Sequence, residues 1–162
     1  MTSQCSGLCC WRCCHNSAEY RLWWSDRNQE ALDRLDIALR LSPRDPLAWS
    51  YLTLKSAPLY RLLRYSEAAA LAREATTHPT ADAVWPHVHL AASLGQLGKN
   101  DVAATVTFEP CNLRPGLTIS LFRNWPHNRS RPSSFLDHIV EGLKKERVSQ
   151  SGSVCCWCTF RN

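Results

Sequence analysis

No run of apolar residues in this 162-residue sequence approaches the roughly 18 needed to cross a bilayer, so no transmembrane helix is expected. The N-terminus, MTSQCSGLCCWRCC, lacks a charged region followed by an apolar one, so no signal peptide is read and a cytoplasmic location is expected. There is no glycine-rich phosphate loop, no nucleophile–base constellation and no pair of carboxylates in a plausible pocket, which leaves an enzyme reading without support. Charge of one sign is scarce as well. With 19 basic and 14 acidic residues the formal net charge is +5, enough to favour solubility but no nucleic-acid signature. Arg114, Arg123, Arg129 and Arg131 gather in one stretch without any nucleic-acid motif, so they read as a solvated basic surface.

Cysteine is nearly absent from the body of the chain and crowded at its ends. Of nine, five lie between Cys5 and Cys14, three between Cys155 and Cys158, and only Cys111 lies between those clusters. In a reducing compartment disulfides do not persist. Cys10 and Cys13 make one C-x-x-C, followed by His15, and Cys155 and Cys158 make another. Each pair has the spacing to grip a zinc ion, but zinc modules set their half-sites within a few tens of residues, and these stand at opposite ends. Neither end shows helical or strand periodicity. Residues 1–26 and 149–162 are therefore expected to be disordered Cys-rich ends. The alternative is a metal- or redox-responsive protein using Cys10, Cys13, Cys155 and Cys158.

Between the ends, helical periodicity dominates. Residues 27–43 place Ala31, Leu35 and Ala38 on one face and stop at Pro43. The stretch DPLAWSYLTLKSAPLYRLLRYSEAAALAREA follows. Asp45 and Pro46 read as a cap and a first helical residue. Trp49 and Leu52 then share a face, as do Tyr65 and Ala68, and Ala68, Ala72 and Ala75 form a small-residue seam. Bulky residues on one helix facing small ones on the next make a close-packing pair. Pro58 is expected to kink or end the first of these helices early. A third unit runs His87, Leu90, Ala91 and Leu94 along one face and ends its helix at Gly98. His87 and His89, two residues apart, point away from each other and cannot share a metal. Ala103 opens a further helix that Thr105, Val106, Thr107 and Pro110 should shorten, with Pro115 beyond. Residues 114–134 read as a Pro/Arg-rich connection with an apolar middle. Then Phe135, Leu136, Ile139, Val140 and Leu143 form the stripe of an amphipathic helix, with Ser134 and Asp137 spaced as a capping box.

Ala31, Ala68 and Ala103 recur at steps of 37 and 35 residues, near the roughly 34-residue period of a tetratricopeptide repeat. The residues that carry this signature are Ala31, Leu35, Ala38, Pro43, Trp49, Leu52, Tyr65, Ala68, Ala75, Leu90, Ala91, Gly98, Ala103 and Pro115. The first repeat reads as truncated, because AEYRLWWSD is a poor first helix. The runs LRLSPRDPLAWSYL, RYSEAAALAREA, HLAASLGQLGKNDVAA, LRPGLTISLFRNWP and FLDHIVEGLKK resemble the C-terminal repeat region of bacterial multidomain class III adenylate cyclases. The resemblance spans roughly residues 28–146 and includes nothing of the catalytic domain, so it implies binding without catalysis.

The expected fold is all-α: a short tetratricopeptide-like solenoid of helix hairpins with a C-terminal capping helix. Residues 27–115 would hold about three repeats and 116–148 the linker and cap. Helices are expected over 28–40, 46–62, 65–77, 81–97, 100–108 and 134–146. The expected function is non-enzymatic, with no cofactor. A protein or peptide would bind on the concave face, or a second copy would associate with the chain.

Overall fold

A computed structural model describes residues 27–41, 45–78, 84–98, 119–124, 128 and 131–147. Among them the chain is all-α, with six helices and no strand: α1 Asn28–Leu41, α2 Ala48–Arg61, α3 Tyr65–Thr76, α4 Val84–Gln96, α5 Ile119–Asn124 and α6 Ser133–Arg147. The cysteine pairs Cys10/Cys13 and Cys155/Cys158, together with Pro43, Ala103, Pro115 and the expected helix at 100–108, lie outside the described residues.

Short connections fold each of the first four helices back on its neighbour. α2 packs on α1 and α3, α3 packs on α4, and α4 also meets α2 and α6. One core joins all six helices. It contains Ala31 and Leu32 of α1, Ala57, Leu59 and Tyr60 of α2, Ala68 of α3, Val88, Ala91 and Ala92 of α4, Phe122 of α5, and the stripe Phe135, Leu136, Ile139, Val140 and Leu143 of α6. The bulky-against-small pairing expected of α2 and α3 is present. Trp49 and Leu52 pack with Ala75, flanked by Leu71 and Leu39. Ala69 and Ala72, on the neighbouring part of the seam, meet Leu90 and Leu94 of α4.

Several boundaries differ from the sequence reading, each for a local reason. α2 begins at Ala48, not at Pro46, because the Asp45 carboxylate accepts from the Leu47 N–H at 2.8 Å and the Asp45 carbonyl from the Ala48 N–H at 2.9 Å, closing a turn first. Pro58 neither ends nor shortens α2, which continues to Arg61. It sits within the last turn, where its missing N–H deprives only the Leu54 carbonyl of an intrahelical donor, and its ring is fully buried. α6 starts one residue before Ser134. The Pro132 carbonyl accepts from the Phe135 and Leu136 N–H groups, so Ser134 lies inside the first turn and the expected capping box does not form. Asp137 instead accepts from Arg123 of α5 at 2.5 Å. α5 itself is a helix where a connection was expected. Its Phe122 is buried with its ring centroid 5.7 Å from that of Trp85.

The turn from α2 to α3 is a Schellman cap. The Arg64 N–H bonds the Leu59 carbonyl and the Leu63 N–H bonds the Tyr60 carbonyl. That geometry places Leu63 at φ 61°, the left-handed region that disfavours a branched side chain, and its side chain is 63% exposed. The equivalent position after α4 is filled by Gly98, at φ 66°, as the sequence suggested. Leu63→Gly is expected to raise stability by about 0.5–1 kcal/mol, since relief of the left-handed strain exceeds the added freedom of the unfolded chain. Chemical denaturation of the two proteins checks this, and a variant no more stable than the parent would contradict the strained-cap assignment.

Candidate functional site

The repeat-signature positions that the structure describes serve the packing between helices. Ala31, Leu35, Trp49, Leu52, Ala68, Ala75, Leu90 and Ala91 are buried, Ala38 and Tyr65 are half-buried, and Gly98 closes a helix. None of them gathers into a reactive group. Three other features carry polar or exposed chemistry.

The first lies between α2 and α4. Ser56 Oγ donates to the Thr53 carbonyl at 2.7 Å and stands 3.1 Å from His89 Nδ1. Both side chains are buried. With the serine proton on the Thr53 carbonyl, His89 Nδ1–H donates to Ser56 Oγ, which satisfies both groups. Burial, with a smaller push from the Arg131 charge, lowers the His89 imidazole to about 3. The pair has the elements of a nucleophile and base, yet it is sealed within the core, and its role is to join two helices. His87, two residues earlier and so about 200° around the helix, is half-buried.

The second converges from four helices. Tyr60, at the end of α2, donates from Oη to the His138 backbone carbonyl at 2.9 Å and accepts from Gln96 Nε2 at 3.2 Å. Gln96 in turn accepts from Lys145 Nζ at 2.8 Å, and Lys145 pairs with Glu141 at 2.7 Å. A hydrogen-bonded chain therefore runs from a surface ion pair to the part-buried His138 carbonyl. Tyr65 Oη lies 2.9 Å from His138 Nε2, and the Tyr60 ring lies against both the His138 and Tyr65 rings, with centroids 4.6 and 5.1 Å away. Burial raises the Tyr60 phenol well above its usual value, so it stays protonated as a donor. Burial also lowers His138, against a smaller upward pull from Glu141. The arrangement depends on Gly142. A Cβ there would sit 2.6 Å from Tyr60 Oη and 2.5 Å from the Ala92 carbonyl oxygen.

The third is apolar. Ile37 and Leu41, one turn apart on α1, are 48% and 78% exposed, and Leu62 and Leu63 are exposed at the α2–α3 turn. None of Tyr60, Gln96, His138 or Gly142 stands out in the sequence. Gly142 falls inside an amphipathic helix, where only the neighbour across the interface reveals its purpose. Ile37 alone was detectable, as an apolar residue opposite the buried stripe of α1. Among the described residues no group of three or more His, Cys, Asp and Glu side chains is placed to hold a metal, and no helix is long and apolar enough to cross a membrane.

No protein-family model, curated protein or solved structure matches the chain.

Gly142→Ala should destabilise the fold by about 1–3 kcal/mol through overpacking against Ala92 and Tyr60. Tyr60→Phe should cost about 1–2 kcal/mol for the lost bonds. Because the two residues share one contact, the double variant should cost less than the sum, and strict additivity in denaturant unfolding would refute the coupling.

His89 gives a pH dependence. Its folded-state pKa, about 3, lies below the ordinary 6.5, so below pH 6.5 the unfolded chain binds a proton that the folded one does not. Stability should fall as pH drops from 6.5 toward 3, by up to about 1.4 kcal/mol per pH unit, with His138 adding in the same direction. His89→Asn, which keeps a donor near Nδ1, should flatten the curve. Equal unfolding midpoints for the parent at pH 7 and pH 5 would contradict a neutral buried imidazole.

Proposed function

We propose that the chain is a non-enzymatic protein-interaction module built from helix-hairpin repeats of the tetratricopeptide type, a detached region of an adenylate-cyclase-like regulatory protein. Support for the repeat reading comes from the order of packing. Each helix from α1 to α4 folds back on its neighbour, and α2 also meets α4, as stacked hairpins require. The cyclase parentage is supported by the sequence resemblance alone. Where a partner would bind is narrowed by α6. It packs along α4 and reaches α2 through Tyr60, so it takes up part of the side on which the two first-of-hairpin helices would form a groove.

The observation that carries the binding role is the apolar pair Ile37 and Leu41. It is centred on the outer side of α1, where charged residues surround it. Two exposed apolar side chains one turn apart and rimmed by charge form the kind of apolar surface that a contact would cover. To test this, a photo-crosslinking amino acid is placed at position 37, with exposed position 74 on α3 as the control, in the full chain expressed in cells. A light-dependent protein adduct from position 37 and none from position 74 is expected. Equal adducts from both, or none, would remove the α1 surface from the account. Formation of cyclic AMP from ATP by the purified chain would overturn the non-enzymatic reading.

A further inference from the structure

We infer that the partner of the α1 face is a second copy of the same chain, docked antiparallel through α1; the inference rests on the reading of this face as a contact surface. The argument is one of charge complementarity about Ile37. Helix geometry puts Asp33 about 40° and Arg40 about 60° to one flank of Ile37, and Leu41 about 40° to the other. Asp33 and Arg40 carry opposite charges, and the point midway between them along the helix falls beside Ile37. A two-fold axis through that point brings Asp33 of each copy opposite Arg40 of the other, making two equivalent ion pairs from one self-complementary surface. On the other flank Leu41 enters the space between Ile37, Arg34 and Glu30 of the facing copy, where the aliphatic stem of Arg34 covers it.

The remaining charges of α1 have partners within the chain. Glu30 pairs with Arg27 and Arg34, and Asp36 pairs with Lys55 of α2. Asp33 accepts only from the neutral amide of Gln29, at 3.1 Å, among the bonds of the described residues, and Arg40 is exposed with no ion-pair partner among them. The two charges left over are thus the two that the symmetry brings together. One helix face is a small contact, and exposed ion pairs contribute little each, so the dimer should be weak and form in the upper micromolar range.

The test is sedimentation equilibrium of the full chain from micromolar to near-millimolar concentration, with circular dichroism confirming unchanged helix content. The parent should show a reversible monomer–dimer equilibrium. D33R and R40D should each weaken it by roughly tenfold, because each substitution turns both symmetric pairs into repulsions. The double variant D33R/R40D restores opposite charges across the two-fold axis and should return the dimer to near parental strength. Ile37→Asp should abolish it. A chain that stays monomeric throughout, or a double variant no stronger than the single ones, would overturn the inference. A monomeric chain that still gives an adduct with a different protein from position 37 would leave the contact surface standing and refute only self-association.

Discussion

Enclosure of α4 is the constraint on which the rest of the structure depends. Residues 88–95 of this helix are buried without interruption, because α2, α3 and α6 cover it from different sides. A helix so enclosed has no solvent face on which to put bulk or polarity. Its neighbours must approach closely, and the residues at the contacts are accordingly small: Ala91, Ala92, Ser93 and Gly95 on α4, Ala69 and Ala72 on α3, and Gly142 on α6. Interiors packed at crystal-like density leave little slack, so one added methyl at Gly142 would be felt by α4 and by Tyr60 together.

Polar groups inside this contact region are satisfied locally. Ser93 donates to the His89 carbonyl and Thr53 to the Trp49 carbonyl, each one turn back along its own helix, at 2.7 Å. Ser56 and His89 bind each other across the α2–α4 contact. A mispaired hydroxyl or imidazole in such a site costs on the order of 1–3 kcal/mol. The pairing therefore specifies which turn of α2 lies beside which turn of α4, something the surrounding alanines do not do. Tyr60 does the same for α6, since its hydroxyl reaches the His138 carbonyl only at the turn where Gly142 leaves room.

Amphipathic helices were legible in the sequence, and the enclosed one was legible only as a helix. α1, α3 and α6 have one wet side, so the period of 3.6 marks their buried stripes, and Ala31, Leu35, Ala68, Ala75, Ile139 and Leu143 are where that period put them. Trp49 likewise meets the alanine seam. α4 breaks the pattern. His87, Leu90, Ala91 and Leu94 read as one face, whereas Val88, His89, Ala92 and Ser93 are buried too, on sides supplied by helices remote in sequence. Pro58 was misread for a related reason, because a proline near a helix end costs one donor and gains a buried ring when a neighbour covers it. The candidate polar corner was not legible at all. Tyr60, Tyr65, Gln96 and His138 acquire meaning only when four helices converge, and no spacing in the chain encodes that convergence.

The same enclosure orients the functional reading. The proposed stack of hairpins would offer two kinds of surface, the groove along its length and the outer side of α1, the first of the described helices. On the described part, α6 has filled the region beside α4 with five apolar side chains, the Tyr60 bond and the Lys145–Gln96 bond. Opening that region would expose the most deeply buried of the described helices, at a cost that a modest partner contact would not offset. α1 is in the opposite situation. Its inner stripe is committed to α2 and the common core, and its outer side holds Ile37 and Leu41 in water between charges. Burying that pair requires no opening of the fold, so a contact there carries only the ordinary costs of association. The side of the molecule that is complete is thus the poor candidate for recognition, and the helix with one unfinished face is the good one.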